Sequence, residues 1–152
     1  MYGKSVPGCL TIKLLMKSIL LAIVLCSIAV AGETQNAAKI IKTYLSGYEK
    51  KDWSITSSQL ADGFTFTSPA PDDHIPLDVY KQRCWPQSEF IKKIDFITIV
   101  QDGDHAFALY TITTTDNKII RNTEYYTFSN GKIKSDECFF GGSGAGYPSN
   151  TK

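Results

Sequence analysis

The sequence contains two histidines, and each stands beside a carboxylate. His74 closes the run Asp72-Asp73-His74, and an imidazole or carboxylate at the mouth of a pocket is a candidate general base. The same run also reads as a solvated turn in which Asp72 or Asp73 caps the next helix. His105 follows Asp104 between two strand-like segments and reads as a surface turn. Tyr44 and Glu124 are candidates of another kind. Tyr44 lies on an apolar stripe of helical spacing, as a core tyrosine would. Glu124 alternates with Asn122 and Tyr126, and beyond them with Ile120 and Phe128, along one face of a strand. On a concave face its carboxyl is desolvated and its charge opposed; on a convex face it is an ordinary exposed acid. Arg121 points the other way by alternation and is not its partner. With Glu124 inside, Tyr44 becomes its expected hydrogen-bond neighbour, and Trp53 and Trp85 supply core or cavity wall.

Other chemistries find little support. Cys84 and Cys138 belong to no Cys-x-x-Cys pair and no histidine cluster, so neither a metal site nor thioredoxin-type redox chemistry is expected. Whether they form a disulfide or stay as thiols is left open. The glycine-rich run Gly141–Gly146 lacks the lysine and the strand-loop-helix setting of a phosphate loop, and no cofactor is implied. A formal charge of +1 over 152 residues offers no basic face for nucleic acid. With 43% hydrophobic and 20% charged residues the composition is that of one globular domain.

The elements that position these residues begin after a targeting segment. Residues 1–31 carry Lys4, Lys13 and Lys17 but no acid, then an apolar run from Ile19 that ends in Ala29-Val30-Ala31. This pattern is that of a secretory signal peptide, too short in its apolar run for a stable membrane span. Translation from Met16 would give a tidier leader than from Met1. Cleavage near Ala31 leaves 121 residues with a formal charge of −2, because the leader holds three of 16 basic residues and none of 15 acids. The expected product is periplasmic or secreted, with a domain over 32–142 and a flexible tail over 143–152.

Ala37, Ile40, Ile41, Tyr44, Leu45 and Tyr48 have the spacing of an amphipathic helix, with Thr34 or Asn36 as its cap. Asp52 caps a second, shorter helix with Leu60 on its buried side. Phe64–Thr67 alternates as a strand and runs into the loop Ser68–Asp73. Pro76 suits the first position of a third helix bearing Leu77, Tyr80 and Cys84 on one face, which Pro86 ends. Four strands follow, at 94–100, 106–114, 119–128 and 132–140, joined by short Gly/Asn/Asp turns that imply consecutive antiparallel hairpins. Helices grouped before a strongly bent antiparallel sheet make an α+β domain, three N-terminal helices packed in a curved sheet.

Three segments in this order resemble the nuclear transport factor 2-like superfamily, in its SnoaL-like or ketosteroid-isomerase-like branch, over roughly 36–141. They are Tyr44–Trp53 at the first helix join, Phe64–Pro69 on the first strand, and Glu124–Ile133 leading into the last strand. The resemblance implies a cone, often a homodimer through its sheet. It aligns Tyr44 with the tyrosine and Glu124 with the protonated acid that hold an enolate oxygen in the isomerases. Where those enzymes carry a carboxylate base this chain has Ser68, before Pro69, and a serine hydroxyl alone takes no carbon-bound proton at neutral pH. The steroid-isomerase reaction is therefore not expected. Three functions follow: a binder of a small, largely apolar or amphipathic molecule through Tyr44, Glu124, Trp53 and Ser68; a proton-transfer enzyme with His74 or Asp73 as base; or an interaction module of the cell envelope.

Overall fold

The computed structural model describes residues 36–69 and 71–140, so the leader at 1–31 and the tail at 143–152 lie outside the described residues. Helix α1 spans Ala37–Lys50, and Asn36 caps it by accepting the Lys39 N–H at 3.0 Å. Its stripe of Ala37, Ile41, Tyr44, Leu45 and Tyr48 is buried, as its spacing requires. Lys51 ends it in the left-handed conformation. Helix α2, Trp53–Ser58, starts on Asp52, whose carboxylate accepts the Ser54 N–H at 2.9 Å. Leu60, expected on this helix, instead opens strand β1, Leu60–Thr67, which is longer than its Phe64–Thr67 alternation suggests.

Pro76 belongs to the two-residue strand β2, Ile75–Pro76, and precedes helix α3, Leu77–Arg83, rather than starting it. Pro86 does stop the α-helix, but the chain runs on as a 3-10 helix over Trp85–Phe90, where a missing N–H is tolerated. The four long strands are β3 (Ile91–Asp102), β4 (His105–Thr114), β5 (Ile119–Ser129) and β6 (Lys132–Phe140). Each pairs antiparallel with the next. The β5–β6 turn is a two-residue hairpin in which Asn130 and Gly131 both have positive φ, at 50° and 74°.

The sheet order is β2-β1-β6-β5-β4-β3, and β1 runs parallel to β6, so the curved sheet is mixed rather than purely antiparallel. The cause is connectivity. The chain crosses through α3 and the 3-10 helix to the far edge, then returns strand by strand, and three reversals bring β6 back beside β1 in β1's own direction. Helix α1 packs across β3 and β4 on the concave side, and Ile94 N–H donates to Glu49 Oε1 at 2.6 Å to tie the two together. Fully buried Tyr44, Tyr80, Tyr110, Tyr126, Phe64 and Ile133 fill the space between helices and sheet.

The α1–α2 join depends on Gly47. A Cβ there would lie 2.1 Å from Thr56 Oγ1 and 2.8 Å from Thr56 N, and Thr56 is held by donating its hydroxyl to the Tyr44 carbonyl at 3.0 Å. Gly47→Ala should therefore lower the unfolding free energy by about 2 kcal/mol despite alanine's better helix propensity. Urea denaturation checks this, and a loss under about 0.5 kcal/mol would mean that the two helices can part without cost.

Candidate functional site

Strand β5 turns Asn122, Glu124, Tyr126 and Phe128 into the cone, all buried, while Arg121 is exposed on the opposite face. Strand β6 does not keep one alternation throughout. Ile133 is buried opposite Phe128, but the next pair is Ser135 with Thr127, so β6 carries one extra residue at Lys134. This bulge reverses the face, and Asp136 and Cys138 become the inward residues. Tyr126 then lies opposite Asp136 and Glu124 opposite Cys138, which makes the two carboxyls diagonal neighbours on the concave face.

Two hydrogen-bond networks meet there. In the first, Tyr48 contacts Tyr80, Tyr80 contacts Tyr44, and Tyr44 donates to Asp136 Oδ2 at 2.9 Å. A phenol has one proton, so with Tyr44 committed to Asp136 the donation runs from Tyr48 through Tyr80 to Tyr44 and ends on the acid. In the second, Tyr126 donates to Glu124 Oε2, and the Asn122 amide reaches Glu124 Oε1 at 3.5 Å, the Tyr110 oxygen at 2.6 Å and Cys138 Sγ at 3.3 Å. Asp136 Oδ1 is buried and has no hydrogen-bond partner among the described residues.

Burial decides the charges. Asp136 is 1% exposed, and loss of water, reinforced by the Glu124 charge, holds its carboxyl well above the usual carboxylate range against one opposing bond from Tyr44. Burial also raises Glu124, but Tyr126, Tyr110 and Cys138 hydrogen bonds favour its charged form. The less supported acid, Asp136, thus keeps its proton, and an environment that separates two neighbouring carboxyls in this way is suited to holding a polar ligand group. Burial also keeps all five tyrosines, Tyr44, Tyr48, Tyr80, Tyr110 and Tyr126, protonated.

The expected site residues separate. Tyr44 and Glu124 are both interior, but Tyr44's carboxyl partner is Asp136, not Glu124. Trp53 is half-buried against Trp85 and Tyr80, with ring centroids at 5.2 and 6.3 Å, beside a cleft on the outside of the helical layer. Ser68 holds a loop: its hydroxyl donates to Asp72 Oδ2 at 3.2 Å and its N–H to the Asp72 carbonyl at 2.9 Å. Buried Asp72 is paired with Arg83 at 2.7 Å, so it straps this loop to α3 instead of capping the helix. His74 and Asp73 are exposed and pair with each other, and the His74 N–H donates to Thr67 Oγ1 at 3.1 Å; their contacts are local. His105 is a surface residue, bonded to Tyr125 and Asp104.

Cys84 and Cys138 are free and buried, and burial pushes the Cys84 thiol up to about 11. Among the described residues no group of three or more potential ligands could hold a metal ion, and no helix is long and apolar enough to cross a membrane. Helical spacing places Tyr80 on a buried face but does not show its hydroxyl between those of Tyr44 and Tyr48, and Asp136 has no site signal of its own type. Alternation counted from Ile133 turns Asp136 outward; counted back from Cys138 it turns Asp136 in, and this conflict within one strand is the signal of the bulge.

No protein-family model matches the sequence, and no curated protein matches it. Solved structures do match the fold. An NTF2-like protein of unknown function from Cytophaga hutchinsonii is 18% identical, with 72% of this chain and 95% of that one covered and a TM-score of 0.52. An LEH-like epoxide hydrolase of M. tuberculosis is 12% identical over 72% of this chain and 86% of its own, with a TM-score of 0.60. A de novo designed protein with a curved β-sheet is 15% identical over 68% and 84%, with a TM-score of 0.59. The chain has the NTF2-like fold, a scaffold shared by an enzyme and a designed protein alike, so chemistry must be argued from its own side chains.

The raised carboxyls fix a pH dependence. Folded Asp136 and Glu124 keep protons that the unfolded chain has lost from about pH 4 upward, so their contribution to stability is complete below that value and falls as pH rises through their folded range. Asp52 and Asp116, lowered by hydrogen bonds from Ser54 and Lys118, act in the opposite sense at lower pH. Melting temperature measured from pH 4 to 8 should therefore fall less steeply in Asp136→Asn than in the wild type. Parallel curves would show that Asp136 is ionised in the fold.

Proposed function

We propose that this protein is exported and binds a small, largely apolar molecule inside its cone, with the ligand's one polar group against Asp136. The observation that supports this most directly is Asp136 Oδ1, a fully buried oxygen with no hydrogen-bond partner among the described residues. Leaving such a group unpaired costs about 1–3 kcal/mol, which a ligand atom would recover. Because the acid is neutral it offers a proton, so the complementary ligand atom is an acceptor, such as a carbonyl or ether oxygen. Tyr44 orients Asp136, and burial keeps it protonated, with the neighbouring Glu124 acting in the same direction. Rings of Tyr44, Tyr80 and Tyr126 form the apolar shell. The exposed, locally bonded positions of His74 and Asp73 leave the proton-transfer reading without its base.

A second reading rests on the outer face of the sheet. The register aligns Val100, Phe107 and Tyr125 in one row and Leu109 and Phe139 in the next. Val100 is 61% exposed, Phe107 50% and Phe139 48%. Exposed apolar residues on this face, interrupted by Thr123 and bordered by Glu137, suit association with a second copy, and a homodimer through the sheet is compatible with a ligand inside each cone.

Native mass spectrometry of protein purified from an exported preparation tests the first reading. The expected spectrum shows the chain cut near Ala31 carrying a reproducible small-molecule adduct, which Asp136→Leu abolishes while circular dichroism shows the fold retained. An adduct equally abundant in Asp136→Leu would overturn it. For the sheet face, sedimentation should give a dimer for the wild type and a monomer for Phe107→Glu; a monomeric wild type sinks that reading.

A further inference from the structure

A cleft of about 460 Å³ opens outside the cone, between α2, β1 and α3. Trp53, Pro76 and Leu77 form its walls and Phe64 its floor, and Asp78 and Lys81 stand on its rim. Its volume is in the range that takes a small molecule, roughly 300–1,000 Å³. The walls are rigid: the Trp53 ring is wedged against Trp85, and Phe64 packs against Tyr80 with centroids 5.3 Å apart. The Lys81 ammonium lies 5.0 Å from the centre of the Trp53 ring and forms no ion pair among the described residues. Its positive charge is thus positioned on an aromatic face but not neutralised.

We infer that this cleft binds a planar aromatic molecule bearing one anionic group, with its rings on Pro76 and Leu77 beside Trp53 and its anion on Lys81. A cationic ligand would meet Lys81 already seated on the Trp53 face. Asp78 on the same rim opposes a second negative charge, which limits the ligand to a monoanion oriented toward Lys81. The rigid apolar walls of the cleft select rings over a flexible chain, because a rigid ring loses little conformational freedom on binding. The site is independent of the cone: none of its residues belongs to the Asp136 or Glu124 networks, although Trp53 and Phe64 both touch the Tyr80 ring.

The probe is 1-anilinonaphthalene-8-sulfonate, with neutral N-phenyl-1-naphthylamine as its uncharged counterpart. In Trp85→Phe protein Trp53 is the one remaining tryptophan, so its quenching places the probe. The sulfonate should bind one to one, quench Trp53, and weaken about fivefold or more in Lys81→Glu at low salt, while the neutral probe changes less than twofold. Lys81→Met, which keeps the stem that covers Trp53, should show the same separation, and Asp78→Asn should tighten sulfonate binding. Binding without Trp53 quenching, or with equal affinity in Lys81→Glu, would overturn the site. So would loss of the signal in Phe107→Glu, because the probe would then be on the sheet face. Asp136→Leu should leave sulfonate binding unchanged, so failure of the cone reading and failure of this one are read from different variants.

Discussion

The interior of this protein is organised by one constraint, the need to place two carboxyl groups side by side where there is no water. A desolvated acid stays neutral or collects hydrogen-bond donors, and the cone does both. Glu124 is surrounded by Tyr126, Asn122 and Cys138, whereas Asp136 has a single donor in Tyr44. The tyrosines on α1 and α3 take their positions from these acids. Tyr44 and Tyr48 lie one helical turn apart on α1, and Tyr80 on α3 joins their hydroxyls. Three elements far apart in sequence are thereby held to one polar seam within an otherwise aromatic core.

Such an arrangement is a poor way to gain stability. Apolar side chains of similar volume would fill the cone without the desolvation cost, and replacements of this kind in other buried polar clusters are often neutral or stabilising. The unpaired Asp136 oxygen departs from the rule that buried polar groups are satisfied. Asp72 Oδ1 and Ser88 Oγ are likewise buried without a hydrogen bond among the described residues, but Asp72 has the Arg83 charge beside it, and Asp136 alone of the three is a carboxyl without a cation. The loop chemistry around Ser68, Asp72 and Arg83 is different: every charge there is paired and its effect is to hold a strap in place.

The bulge at Lys134 connects the two scales. Without the extra residue, β6 would continue the alternation begun at Ile133, Asp136 would point to solvent, and Ser135 and Glu137 would face the core. The same bulge leaves Lys134 free to donate to the carbonyls of Asp62 and Gly63, which fastens the irregular start of β1 to its parallel partner. One inserted residue thus serves both the parallel join that closes the sheet and the acid that gives the cone its polar end.

Local sequence determined what depends on local physics. Helical spacing placed α1 and its buried stripe, Asn36 and Asp52 acted as caps, and Asn130-Gly131 made a hairpin, because dihedral preferences and side-chain periods operate within a few residues. Alternation along β5 likewise put Glu124 and Arg121 on opposite faces. The tertiary structure decided the remainder. The direction of β1 relative to β6 depends on how many times the chain reverses in between, which no short window contains. The partner of Tyr44 depends on cross-strand register, and a one-residue shift exchanged the acid expected there, Glu124, for Asp136. His74 and Ser68 were chemically suitable by residue type, but the Asp72–Arg83 strap holds Ser68 in a loop contact, and His74 faces solvent. Residue type states what a side chain can do; only the packing of distant segments decides which atoms it meets.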